Sequence, residues 1–312
     1  MKGTGVSTVS LSSVSVVITS YNSDWCIARA VKSCLAQSLA VDEIIIVDDC
    51  STDNTEAVVR ELMTRHPRIK YCRPEKNGGH LAALRFGIQH AVSDWIALLD
   101  SDDELPPNSI EVRITAAIEY KKVTGVTPQL IYGDHEGSKF DELKGYVFPY
   151  LCKELCLCQT STMMLGRDCL IHFPLTDNPF NTDDEIVLAI GKRFHVLHSG
   201  AVVTVYHAHD SPTRMTKNSK KVFEGVCQLV RDHRADIVRE QGKRRLLLWR
   251  VRILKAFISY KIALANARIA ALQSTFGDRC QRFLLRVYRK GLTQISLLLK
   301  SFLRNHFEYD FF

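Results

Sequence analysis

Short apolar runs alternate with helix-spaced segments along the first hundred residues. Residues 14–18 form a β-branched run that ends in the polar turn Thr19-Ser20-Tyr21-Asn22, which predicts a buried strand. Residues 24–39 carry Ile27, Val31, Cys34 and Leu35 at helical spacing. A second buried strand is predicted over 43–47, stopped by Asp48-Asp49-Cys50-Ser51. Thr52 or Asp53 is placed to cap a helix over 56–65. The pattern continues with a brief third strand at 69–72, a turn at 77–79 and a helix over 81–92. Residues 95–99 read as a fourth buried strand that runs into Asp100-Ser101-Asp102-Asp103.

Near-continuous apolar strands separated by helices predict an α/β chain whose mostly parallel sheet is covered on both faces. Ligands in such sheets bind outside the carboxyl ends of the strands. Three of the four predicted strands end in polar clusters, at 19–22, 48–51 and 100–103. Further on the pattern predicts a helix over 109–122 and a strand over 129–132 leading into Gly133-Asp134-His135-Glu136. An irregular stretch covers 137–160. Then come a helix from 183 to 190, two strands at 194–197 and 201–206, a polar basic loop at 207–221, and helices to the end.

Composition changes this picture little: 46% hydrophobic and 24% charged residues are ordinary for a globular chain and exclude a disordered or fibrous one. Charge changes it more. Residues 243–312 hold 15 Lys and Arg against 3 Asp and Glu, whereas residues 1–242 hold 26 against 31. A mildly acidic body therefore carries a basic tail suited to an anionic surface. Within it, residues 282–304 place Arg282, Arg286, Arg289, Lys300 and Arg304 on one helical stripe opposite Leu284, Val287, Leu292, Ile295 and Phe302. That helix either lies on an anionic membrane or packs on the body with its basic side in water. No nucleic-acid module is visible. Residues 1–15 do not read as an export signal, and no window is apolar enough to span a bilayer. The ten cysteines are therefore expected as free thiols in the cytoplasm, and the spacing of Cys152, Cys156, Cys158 and Cys169 fits no structural zinc pattern.

The chemistry concentrates at the strand ends. Asp100 and Asp102 stand two residues apart, so a strand end turns both to one side. Oxygen ligands at that spacing suit Mg²⁺ or Mn²⁺ on a diphosphate, and a plain acidic turn is the alternative. Asp48 and Asp49 show no compensating charge nearby in sequence, and their repulsion from the second acidic cluster argues for a cation.

The segments VVITSYN at 16–22, IIIVDDCSTDNT at 44–55, NGG at 77–79 and WIALLDSDDE at 95–104 together resemble glycosyltransferase family 2, over roughly residues 14–216. The resemblance implies a GT-A fold with a Rossmann-like nucleotide-binding half at about 14–105 and an acceptor half at about 106–221. A helical, basic region at 222–312 lies outside it. It implies a metal-dependent, inverting transfer from a nucleoside diphosphate sugar, UDP-sugar favoured, to a glycan or lipid-linked saccharide acceptor. Thr19, Tyr21 and Asn22 would border the base, and Asp49 would accept from its N–H. Asn77 and Gly79 form the turn beneath the nucleotide. Asp100 would lie by the ribose, and Asp102, with Asp103 and His209 as further ligands, would hold the metal. Arg85 is either a diphosphate contact or a surface charge, since the family more often has Arg-Asn where this chain has Leu84-Arg85. Asp183-Asp184 matches the family's base position, with Asp184 as the base. His207, His209 and Arg214 belong to a loop that would approach the diphosphate or simply be solvated. A nucleotidyltransferase, or an inactive glycan- or membrane-binding relative, would share much of this pattern. The expected location is cytoplasmic, with the tail on the inner face of the cell membrane.

Overall fold

The computed structural model describes residues 12–151, 158–175, 182–207 and 219–241. Eight strands form one sheet in the order β3-β2-β1-β4-β7-β5-β8-β6, with β1 Val14–Ser20, β2 Glu43–Asp48, β3 Ile69–Cys72, β4 Trp95–Asp100, β5 Leu130–His135, β6 Lys144–Gly145, β7 Met164–Gly166 and β8 Val196–Thr204. The first four strands are parallel, as the apolar runs predict. The short β7 then runs antiparallel to both β4 and β5 and joins the two halves of the sheet.

Helices cover both faces, and the strand side chains show why. Val17, Ile45, Val47, Ile96 and Leu98 enter one core with α3 His80–His90, α6 Thr182–Gly191 and α7 Ser219–Asp232. The alternate positions Val16, Ile18, Ile44, Ile46, Ala97 and Leu99 enter the other with α1 Ile27–Leu35, α2 Thr55–Arg65 and α4 Ser109–Thr124. Side chains alternate across a strand, so a run that is apolar at every position must be covered on both sides. The fifth helix, α5 Phe148–Leu151, is a single turn that adds Phe148 and Leu151 to the first core. Leu229, Val230 and Ile237 join that same core, so the chain at 229–237 is packed on the body.

Two expectations change. The predicted strands at 194–197 and 201–206 are one strand, β8, interrupted by a bulge. The register jumps from Tyr132↔His198 to Asp134↔Val202, and Gly200 takes a positive φ of 74° there. A glycine and a serine read as a break in the pattern, but pairing with β5 continues across them. In the stretch read as irregular, β6 at Lys144–Gly145 and α5 at Phe148–Leu151 carry local structure. The basic amphipathic segment 282–304 lies outside the described residues. Among the described residues no helix is long and apolar enough to cross a membrane.

Strand order reverses at β1: the chain moves outward to β2 and β3, then returns to β4 on the other side. A crevice opens outside the carboxyl ends of the strands at such a point. Thr19 and Asp100 are register partners there. Helix α3 approaches the sheet at Gly87, where a Cβ would fall 2.5 Å from Val17 Cγ1 and 2.8 Å from Val47 Cγ2. Gly87→Ala should therefore lower stability by about 1–3 kcal/mol, the usual cost of overpacking. An unchanged urea midpoint would contradict the close approach.

Candidate active site

The loops after β1, β2 and β4 are tied to one another before any ligand is considered. Asn22, in a left-handed conformation at φ 53°, accepts the Thr52 N–H at 2.8 Å and donates its own N–H to Ser51 Oγ at 2.9 Å. Ser23 Oγ lies 2.8 Å from Ser101 Oγ. Tyr21 remains 43% exposed.

Asp48 is not uncompensated, which corrects the sequence expectation, and Asp49 is engaged by hydrogen bonds. Asp48 is fully buried and receives Tyr71 Oη at 2.6 Å, Arg73 Nη1 at 2.9 Å and the Ser51 N–H at 2.7 Å. Arg73 lies 25 positions away in sequence, beyond β3, so local pattern could not reveal it. Asp49 holds the Asn77-Gly78-Gly79 turn: its two oxygens accept the N–H groups of Gly78 and Gly79 at 2.8 Å each, and Asn77 Nδ2 donates to its carbonyl at 2.8 Å. Gly79 sits at φ 79°, a conformation that glycine adopts without strain. Removing the carboxylate in Asp49→Ala orphans two backbone donors and should cost about 1–3 kcal/mol. Denaturant unfolding would measure the loss, and an unchanged stability would contradict it.

This turn aims the first residue of α3, His80, at the end of β4. His80 Nε2 lies 2.9 Å from Asp100 Oδ1, and Thr19 Oγ1 reaches the same oxygen at 3.5 Å. Burial disfavours the charged imidazole, but the charge and hydrogen bond of Asp100, with Asp183 and Asp102 beyond, hold its pKa above the usual value. Burial alone would raise Asp100, yet His80, Ser161 and Thr19 keep it below its ordinary range.

Asp103 turns inward. It accepts Ser161 Oγ at 2.6 Å and the His207 N–H at 3.4 Å. Burial and the charge of Asp100, then that of Asp102, push it up to about 7 against the hydrogen bond from Ser161. The same loop is fixed from outside, where Arg29 Nη2 donates to the Asp102 carbonyl at 2.7 Å. Glu104 pairs with Arg29 Nε at 3.1 Å and with His207 Nε2 at 2.7 Å. His207 thus anchors the acidic loop to the end of β8.

Carboxylate oxygens of Asp100, Asp102 and Asp103 lie within 4.8 Å of one another. Three hard oxygen donors this close suit Mg²⁺ or Mn²⁺, and a cation relieves the repulsion that lifts Asp103. The residues present fit such an ion.

Facing this cluster, Asp183 stands at the first turn of α6. Thr160 Oγ1 donates to its Oδ1. Burial, followed by the charge of Asp100, lifts its pKa to about 6, against the Thr160 hydrogen bond and His80. Asp184 follows it on α6 and is buried. Arg85 donates through Nε and Nη2 to the Pro174 carbonyl at 3.1 and 2.8 Å, which directs it to the segment before α6. Of the four cysteines at 152, 156, 158 and 169, Cys158 and Cys169 are buried thiols outside any disulfide, and Cys152 and Cys156 lie outside the described residues, as do His209 and Arg214.

Sequence reasoning missed His80, Ser161, Thr160, Arg29 and Glu104. His80 carried one usable signal, its place directly after the glycine turn. Thr160–Thr162 forms a single 3-10 turn with no periodicity to read.

Comparison with known proteins agrees with this geometry. The family model described as "Glycosyl transferase family 2" matches residues 15–171. The succinoglycan biosynthesis protein ExoO of Rhizobium meliloti is 39% identical over 104 residues, 33% of this chain and 29% of that protein. This chain matches between 14% and 43% of the length of its curated relatives. In structure it is similar to the mannosyltransferase PcManGT from Pyrobaculum calidifontis in complex with GDP-Man and Mn²⁺, at TM-score 0.58 and 15% identity over 95% of this chain and 88% of that one. S. aureus TarS 1–349 in complex with UDP-GlcNAc matches at TM-score 0.50 and 18% identity, over 70% of this chain and 65% of that one. These likenesses establish a GT-A type fold. With half of its length matched by the family model, the chain belongs to glycosyl transferase family 2.

Proposed function

We propose that the chain is a metal-dependent, inverting glycosyltransferase. It moves a sugar from a nucleoside diphosphate donor, UDP-sugar favoured, to a hydroxyl of a glycan or lipid-linked saccharide. One observation carries this reading: at the point where strand order reverses, Asp100, Asp102 and Asp103 converge opposite Asp183. The donor-bound relatives of this fold and the succinoglycan role of ExoO support the donor and acceptor classes.

Thr19, Tyr21 and Asn22 border the base, and Asp49 offers its remaining lone pairs to a base N–H. Asp100 holds the ribose. Asp102 and Asp103, with His209 as a further ligand, hold the divalent cation, whose contribution is to neutralise the leaving diphosphate as a Lewis acid. Arg214 and the rest of the basic loop meet the diphosphate. The acceptor hydroxyl gives its proton to a carboxylate at the start of α6, and attack from the face opposite the leaving group inverts the anomeric carbon. The family resemblance puts that base at Asp184. The raised pKa and the proximity to Asp100 and His80 favour its neighbour, Asp183. Residues 282–304 form the contact with an anionic membrane that brings a lipid-linked acceptor within reach.

Product analysis tests the reaction class. Incubation with nucleotide sugars, Mn²⁺ and a saccharide acceptor should release free nucleoside diphosphate. Release of pyrophosphate from a nucleoside triphosphate would instead indicate a nucleotidyltransferase.

A further inference from the structure

His80 opens α3 and stands between two acidic elements. Its Nε2 contacts Asp100 Oδ1 at 2.9 Å, and the charges of Asp183 and Asp102 act on it. Only 12% of the side chain is exposed. Its Nδ1 is buried with no hydrogen-bond partner among the described residues. An apolar side chain would serve packing better, because an unpaired buried nitrogen costs stability. The contact with Asp100 is what the imidazole adds. Thr19, at 3.5 Å, stands at the edge of hydrogen-bonding distance from the same oxygen, so His80 is the stronger restraint.

Its placement is built in from two directions. The Asp49-held turn with Gly79 at φ 79° sets where α3 begins, and the close approach at Gly87 sets how near the helix lies to β1 and β2. A group fixed this firmly can orient a partner before a ligand arrives, which saves ordering cost at binding.

Resting on the donor site described above, we propose that His80 is a positioning residue for the donor: by holding Asp100 Oδ1 it orients that carboxylate so that Oδ2 receives the ribose hydroxyls of the nucleoside diphosphate. His80 thereby controls discrimination at the ribose.

The probes are UDP and GDP with Mn²⁺, each beside its 2′,3′-dideoxy form, titrated calorimetrically into wild type, His80→Ala, His80→Gln and His80→Asn. Wild type should prefer the ribonucleotide over the dideoxy form by about tenfold or more, the scale of one hydrogen bond to a charged group. His80→Ala should bring that preference to within about twofold of parity while the dideoxy affinity holds. His80→Gln can offer an amide N–H at similar reach and should recover most of the preference. His80→Asn is too short and should resemble alanine. Should His80→Ala fail to fold, the glutamine–asparagine contrast carries the test alone. A His80→Ala or His80→Asn protein that keeps wild-type discrimination overturns the role of His80 and leaves the donor site standing. Wild type that binds nucleotide without preferring ribose does the same. Wild type that binds neither nucleotide overturns the proposed function, and the role of His80 with it.

Discussion

Asp183→Asn is expected to lower the transfer rate by about 10²–10⁴-fold, the usual contribution of a positioned general base. Donor binding should change little, since the amide keeps the shape of the carboxylate and the hydrogen bond with Thr160. The same substitution at Asp184 should cost far less. Steady-state kinetics on both variants, with nucleotide affinity measured in parallel, would separate the neighbours. If Asp184→Asn is inactive and Asp183→Asn active, the base is Asp184 and the bond between Asp183 and Thr160 serves structure. The pH profile gives a second reading. A carboxylate base works only when ionised, so activity falls as pH drops through its pKa. With Asp183 lifted to about 6 by burial, the acid limb should lie at or below that pH. A bound cation shifts it lower, because positive charge favours the carboxylate.

Asp102→Ala carries the second large effect. It removes an oxygen donor from the three that lie within 4.8 Å of one another, while the inward Asp103 keeps its bonds to Ser161 and His207. The fold should therefore survive, and Mn²⁺-dependent nucleotide binding should fall by at least about tenfold, since the hard cation loses a carboxylate ligand. Titration of UDP with and without Mn²⁺ into wild type and variant measures this. Equal metal dependence in both proteins would remove Asp102 from the metal site.

Much of the donor half was legible because its signals are local. The runs at 14–18, 43–47 and 95–99 are apolar at every position but Ser15 and Glu43, and strands covered on two faces produce that pattern. Asp100 and Asp102 stand out because two carboxylates two residues apart, directly after a buried strand, turn to one side. The rest was hidden because partners distant in sequence decide it. Asp48 reads like Asp49, yet Arg73 and Tyr71 across β3 make it a buried strut. Ser161 looks like any loop serine, yet it joins the Asp100 N–H to the Asp103 carboxylate. His80 has meaning only once the turn at Gly79 points it at β4. The bulge in β8 looked like a turn because Ser199-Gly200 is a turn-like pair, and pairing with β5 overrode it.

Thermal unfolding of wild type and Asp102→Ala with UDP, GDP, dTDP and CDP, each with and without Mn²⁺, tests the central claim most directly. Ligand at a hundred times its dissociation constant stabilises the folded state by about 2.7 kcal/mol, a readily measured shift. The account predicts that one nucleotide stabilises the wild type, only with Mn²⁺, and that Asp102→Ala loses the shift. A shift that persists without metal or without Asp102, or none with any nucleotide, would contradict a metal-held donor site at Asp100–Asp103.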